Sequence, residues 1–200
     1  MVKKKSGQGF LRFLYFLIVG LTPMLQHNPS AMVFKRGVHS PTTPSPEEEA
    51  AAGRYLLPDG NFCVPANAVR ASMLKGARGL RSGKFSLKSI LAGAITTGDE
   101  LFPLLRNGKP IAGNDYSIDI RRAVVQGQGI LRARAKIELP WEVECVFGFN
   151  PVVIPDLEVI RLVLQNAGTM AGLLDYRPGK AGKGEGGWFG KYEPREIWTE

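Results

Sequence analysis

Cysteine is scarce: Cys63 and Cys145 are single, far apart in the chain and without CxxC spacing. Neither a disulfide framework nor a thiolate zinc site follows from them, and they read as small buried residues of a reducing, cytoplasmic compartment. Histidine is as rare, with His27 and His39 alone available as neutral-pH acids or bases. The carboxylates Asp115 and Asp119 are spaced i, i+4, while Asp156 and Asp175 stand apart. Turn and capping roles account for them, so no metal centre and no cofactor is expected. The phosphate-cradling pattern GxxxxGK[ST] is absent, which removes support for nucleotide hydrolysis. No apolar run is long enough to span a membrane. Lys3-Lys4-Lys5 ahead of Phe10–Leu25 imitates a signal peptide, but Arg12 interrupts the block and no small-residue cleavage pattern follows it. Its Phe, Tyr, Ile and Val content fits a strand with apolar contacts on both faces.

What the chain has in excess is positive charge. Its 200 residues carry 26 Lys and Arg against 18 Asp and Glu, a formal net charge of +8. That balance favours a polyanionic partner. Glycine is concentrated near the end, in Gly172-Leu-Leu-Asp-Tyr-Arg-Pro-Gly-Lys-Ala-Gly-Lys-Gly-Glu-Gly-Gly-Trp-Phe-Gly-Lys-Tyr192. Glycine permits close backbone approach. Arg177, Lys180, Lys183 and Lys191 supply attraction for phosphates, and Trp188 offers a face on which a base can stack.

Two more basic rows stand out. Arg70, Lys75, Arg78, Arg81, Lys84 and Lys88 follow one another with no acid between Arg70 and Lys88. From Ile130 to Leu139 the chain alternates, with Leu131, Ala133, Ala135, Ile137 and Leu139 to one side and Arg132, Arg134, Lys136 and Glu138 to the other. Like charges lined up on one strand face repel unless water or an anion intervenes. Glu142 or Glu144 on the following strand is a candidate for neutralising part of that row. Lys35 and Arg36 add a basic pair in the polar loop Gln26–Pro44. A solvated surface is the plain alternative for all of these runs.

The periodicities predict a first strand over Phe10–Leu21, a short helix capped by Ser45, and a hairpin turning at Asp59-Gly60. A helix over Asn67–Ala77 follows, with Val69, Met73, Leu74 and Ala77 facing the core. Leu87–Ile95 reads as entering a short strand, and Thr96–Tyr116 as irregular. Trp141–Phe149 reads as the partner of the alternating strand, and Asp156–Ala167 as a helix stopped by Gly168. Phe189–Trp198 is a closing strand despite Pro194. The expectation is one α+β domain over residues 1–200, with a ferredoxin-like, RRM-like β-α-β-β-α-β core. Residues 23–63 and 96–117 are long loop or hairpin insertions. Helices would cover one sheet face and leave the other face and the loops to a ligand.

Several of these stretches also carry a resemblance. Gly20-Leu-Thr-Pro-Met-Leu leaves the first strand, and Val64-Pro-Ala-Asn-Ala-Val-Arg-Ala-Ser-Met-Leu-Lys-Gly-Ala-Arg78 is a Pro-initiated helix ending in Lys-Gly-x-Arg. With the glycine-rich segment Gly172–Tyr192, they resemble, in the same order, the RAMP superfamily of CRISPR-associated proteins, especially the backbone subunits that polymerise along guide RNA. The resemblance implies an RRM-like core, a homo-oligomer along the strand, and further effector-complex subunits as partners. It implicates Lys75, Arg78, Arg177, Lys180, Lys183 and Lys191 as nucleic-acid contacts.

The function expected is therefore non-catalytic, cooperative binding of single-stranded RNA or DNA. The strand contacts would be Lys35, Arg36, Arg70, Lys75, Arg78, Arg81, Lys84, Lys88, Arg132, Arg134, Lys136, Arg177, Lys180, Lys183, Trp188 and Lys191. One alternative is a metal-independent RNA-processing endonuclease with His27 or His39 as acid or base. The other is a purely structural interaction subunit.

Overall fold

The computed structural model describes residues 12–29, 44–125, 128–154, 156–178 and 187–200. Strand β1 (Arg12–Gly20) is followed by β2 (Met24–Gln26), helix α1 (Pro46–Ala52), β3 (Cys63–Pro65) and α2 (Ala66–Gly76). A small hairpin, β4 (Arg81–Ser82) and β5 (Phe85–Ser86), leads to α3 (Leu87–Ala94), β6 (Ile95–Thr96), β7 (Leu101–Arg106) and β8 (Lys109–Pro110). Then come β9 (Ser117–Val125), β10 (Gln128–Ile137), β11 (Glu142–Phe149) and α4 (Leu157–Asn166). A single π turn, Ala167–Ala171, extends α4, and β12 (Tyr192–Thr199) closes the chain. The protein is α+β, built on an antiparallel sheet in the order β12–β1–β11–β7–β3, with β6 on β11 and β8 on β7. A second sheet, β2–β10–β9, lies apart from it.

The pleat of β1 explains the core. Leu14, Phe16 and Ile18 are fully buried and pair across β11 with Phe147, Cys145 and Val143. Phe16 stacks on Phe147 at 5.8 Å, and Phe102 of β7 meets Phe147 edge-on at 5.5 Å. Val69 and Met73 of α2 and Ile160, Val163 and Leu164 of α4 complete the same cluster. Each such side chain contributes about 1.5–3 kcal/mol on leaving water.

The two helices touch through a glycine. A Cβ on Gly76 would collide with the Val163 carbonyl and the Ala167 backbone nitrogen. Ser72 Oγ and Tyr192 Oη, 3.0 Å apart and both buried, share a hydrogen bond that ties α2 to β12. Asp156 caps α4 by accepting from the Glu158 N–H at 2.9 Å. Ser45 and Glu48 form a complete capping box on α1.

Several expectations change. Leu87–Ile95 is a helix over most of its length, since Leu87, Leu91 and Ala94 are buried at helical rather than alternate spacing. Residues 96–117, read as an inserted arm, contribute β7 to the main sheet, and Pro103 is accommodated between β3 and β11. The alternating strand β10 pairs with β9 and β2, so β11 is not its partner. Pro194 sits on the edge strand β12 next to a register shift opposite Leu17 and Ile18, where a missing donor costs least.

Gly76→Ala should lower the unfolding free energy by about 1–3 kcal/mol through overpacking. Gly93→Ala, in open space inside α3, should raise it by about 0.4–1 kcal/mol. Urea titrations followed by circular dichroism measure both, and equal effects of one sign would contradict this packing.

Candidate nucleic-acid interface

The ends of the glycine-rich segment are held side by side. Leu173 N–H donates to the Gly190 carbonyl at 2.9 Å, and Phe189 N–H to that of Tyr176 at 3.2 Å. Gly190 N–H reaches the Pro23 carbonyl at 2.8 Å, and Asp175 N–H reaches that of Leu25 at 3.1 Å. Leu174 and Tyr176 are held at φ of 58° and 46°. Non-glycine residues adopt this left-handed region at a cost, and only where surrounding contacts over-determine it.

Beneath this clasp lies a buried ion pair. Arg134 of β10 donates from Nε to Asp175, with their side chains only 4% and 5% exposed. Arg134 also donates to the Arg132 carbonyl at 3.2 Å and lies 4.7 Å over the Tyr176 ring. Burial pulls its pKa down, while Tyr176, Asp119 and Glu49 act to restore it. Next to it, Arg121 of β9 grips Asp119 through Nε at 2.6 Å and Nη2 at 3.0 Å. Its guanidinium sits 4.5 Å from the centre of the Phe189 ring, and Trp188 stacks on Phe189 with centroids 4.5 Å apart. The result is a ladder of alternating cations and rings that ends in Trp188, which is 53% exposed.

The basic row on β10 lies against carboxylates. Arg132 bonds Glu49 of α1 at 2.8 Å, the other Glu49 oxygen accepts from Ala133 N–H at 3.0 Å, and Lys136 pairs with Glu138 at 2.6 Å. Each cation has a carboxylate partner, and none of the three partners is Glu142 or Glu144, which sit in the other sheet.

A different set of cations does converge. Lys75 in the last turn of α2 lies within electrostatic reach both of Arg78 just beyond it and of Arg177 of the clasp. Burial lowers the Lys75 pKa most, and the charges of Arg177 and Arg78 lower it further. Burial alone lowers that of Arg177, and its Nε is buried with no hydrogen bond to any described residue. A half-buried guanidinium beside a lysine, with one donor that meets no described residue, makes this cluster a candidate for meeting an anion. Arg81, Lys84 and Lys88 continue from Arg78 along β4–β5 into α3, all exposed.

The remaining candidates fall elsewhere. Arg70 donates to the Ala92 carbonyl at 2.6 Å and so ties α2 to α3. Lys191 is half-buried, its main chain fixed to Thr22 and Leu21. His27 follows β2, half-buried. Lys35, Arg36, His39, Lys180 and Lys183 lie outside the described residues. Sequence reasoning missed Arg121 and Tyr176, whose roles depend on β9 packing against the clasp. Burial pushes the Cys63 thiol up to about 11, with a smaller push from Asp59, and raises Cys145 well above its ordinary range, so neither is a ready nucleophile. Among the described residues no three His, Cys, Asp or Glu side chains are grouped to hold a metal.

The sheet face away from α2 and α4 is acidic. Register places Leu17 between Glu144 and Glu196, and Val19 between Glu142 and Glu193, on that face. Its aromatic pair, Tyr15 on Trp198 at 5.4 Å, therefore lies among carboxylates that repel phosphate.

No protein-family model matches the chain, and neither does any curated protein.

Asp175→Asn leaves Arg134 buried without its counter-charge, and should cost about 3–5 kcal/mol of stability. The paired replacement Arg134→Met with Asp175→Leu should recover most of that loss. Denaturant unfolding of the three proteins checks this, and a cost below about 1 kcal/mol for the single change would remove the pair from its structural role.

Proposed function

We propose that this protein is a non-catalytic binder of single-stranded nucleic acid, RNA or DNA, and that it assembles along the strand. The observation that carries the reading is the meeting of Lys75, Arg78 and Arg177, drawn from distant parts of the chain, beside the base of the glycine-rich segment. Phosphate would offset the repulsion that Arg177 and Arg78 exert on Lys75 and satisfy the buried Nε of Arg177. Trp188, backed by Phe189 and Arg121, adds a stacking face that every base can use.

The finer fold reading is a ferredoxin-like, RRM-like core. Taking β1, α2, β7, β11, α4 and β12 as its six elements, the sheet order β12–β1–β11–β7 supports it, because the third of these strands along the chain, β11, then lies between the first and the second, β1 and β7, as a split β-α-β requires. A relationship to the RAMP backbone subunits of CRISPR effectors is proposed on the same residues, Lys75 and Arg78 on the helix and Arg177 at the loop. The acidic second sheet face argues that the strand runs by the loop and the end of α2, rather than across the sheet as in RNA-recognition modules.

Fluorescence anisotropy of a labelled single strand across a salt series tests the reading. The logarithm of the affinity should fall by about 0.7 per phosphate contact for each unit of log salt. Lys75→Ala and Arg177→Ala should each weaken binding and flatten that slope by about one contact. Binding that ignores salt, or variants that bind as the parent does, would refute it. Trp188→Phe should reduce quenching of tryptophan emission on binding, since Trp141 is buried and Trp198 lies on the acidic face.

A further inference from the structure

The β4–β5 hairpin, Arg81-Ser-Gly-Lys-Phe-Ser86, is exposed along its whole length. It is a finger of defined shape. Arg81 pairs with Ser86 and Ser82 with Phe85, leaving Gly83-Lys84 as a two-residue turn. Gly83 at φ 57° supplies the positive φ that such turns require at their first central position. The root is anchored separately: Leu87 N–H donates to the Leu80 carbonyl at 3.0 Å, Leu80 N–H donates to that of Ala77 at 3.2 Å, and the Leu87 side chain is buried. Phe85 takes no part in that anchoring and is 70% exposed, more than any other aromatic among the described residues. A single exposed apolar side chain is common on protein surfaces; Phe85 is set apart by being aromatic and carried on a shaped hairpin rich in cations.

Charge selects the partner. Arg81, Lys84 and Lys88 are the charged residues nearest Phe85 along the chain, all three exposed, and no acid occurs between Arg70 and Lys88. A ligand that carries both dense negative charge and flat apolar faces complements this finger, and single-stranded nucleic acid is such a ligand. A duplex offers the charge but keeps its base faces stacked. The finger also rises directly from the end of α2, immediately after Arg78.

We propose that the β4–β5 hairpin is a second contact on the strand, in which the Phe85 ring stacks on a nucleobase while Arg81 and Lys84 engage the flanking phosphates. This rests on the single-strand-binding reading above and deepens it. Stacking is largely independent of salt, whereas phosphate contacts are not, so the two kinds of residue have different signatures.

The test uses the full chain, a labelled single strand, the matching duplex, and vesicles of phosphatidylserine and phosphatidylcholine. Phe85→Ala should weaken single-strand binding about 5- to 150-fold with an unchanged salt slope. Phe85→Trp should restore affinity, and the new tryptophan should be quenched on binding. Lys84→Ala should instead flatten the slope by about 0.7. Duplex binding should be unaffected by Phe85→Ala. The proposal is overturned if Phe85→Ala binds the single strand as the parent does, or loses single-strand and duplex binding equally. It is also overturned if Phe85 proves necessary for vesicle binding and not for the strand. Parent protein that binds the strand while ignoring Phe85 refutes this contact alone; parent protein that binds no strand refutes the functional reading with it.

Discussion

The buried pair between Arg134 and Asp175 is the interaction from which the candidate interface follows. Arg134 belongs to a strand of the second sheet, and Asp175 to the irregular segment between α4 and β12. Two charges taken out of water tolerate each other only when their geometry is held, so the pair demands that its surroundings be rigid. Leu25 supplies a backbone bridge to Asp175, and the left-handed residues Leu174 and Tyr176 flank it on either side. With Asp175 fixed, the Tyr176 ring lies near the guanidinium groups of both Arg134, at 4.7 Å, and Arg121, at 5.9 Å, and Arg177 comes within electrostatic reach of Lys75 on α2. The same interaction therefore ties the second sheet to the loop base and brings Arg177 toward Lys75.

A net positive charge of +8 does not by itself distinguish cations that build the fold from cations that meet a ligand. Here the division follows burial. On β9 and β10, Arg121, Arg132, Arg134 and Lys136 all lie against carboxylates, from Asp119, Glu49, Asp175 and Glu138. From Arg78 through Lys88 the chain has no such neighbours in sequence, and its cations remain exposed. The acids that might have balanced them are gathered on the far sheet face, at Glu142, Glu144, Glu193 and Glu196. The separation gives the molecule a basic side at the end of α2 and an acidic side on the sheet.

Stretches whose environment is set by near neighbours were legible from the residues alone. β1 with its two apolar faces, the helix capped by Ser45, α2 with Val69 and Met73 inward, and the body of α4 all follow from local periodicity and stereochemistry, whereas the expected stop at Gly168 is overrun by the π turn and falls at Gly172. The density of cations around Lys75–Lys88 and near Arg177 was equally plain in the sequence. For α3, alternation and helical spacing are hard to tell apart over eight residues, and the burial of Leu87, Leu91 and Ala94 decided for the helix.

What the tertiary structure alone decided is which charges meet. The row Arg132, Arg134, Lys136 has the pattern of a strand face turned to an anion, yet its anions are carboxylates from Glu49, Asp175 and Glu138, placed there by the packing of α1 and the clasp. Arg177 stood out in the glycine-rich stretch, but the π turn and the clasp are what bring it to Lys75. Periodicity records which side of its own strand or helix a residue occupies. It carries no record of what another element, a hundred residues away, brings to that side, because ion pairing acts through space and its strength is set by burial.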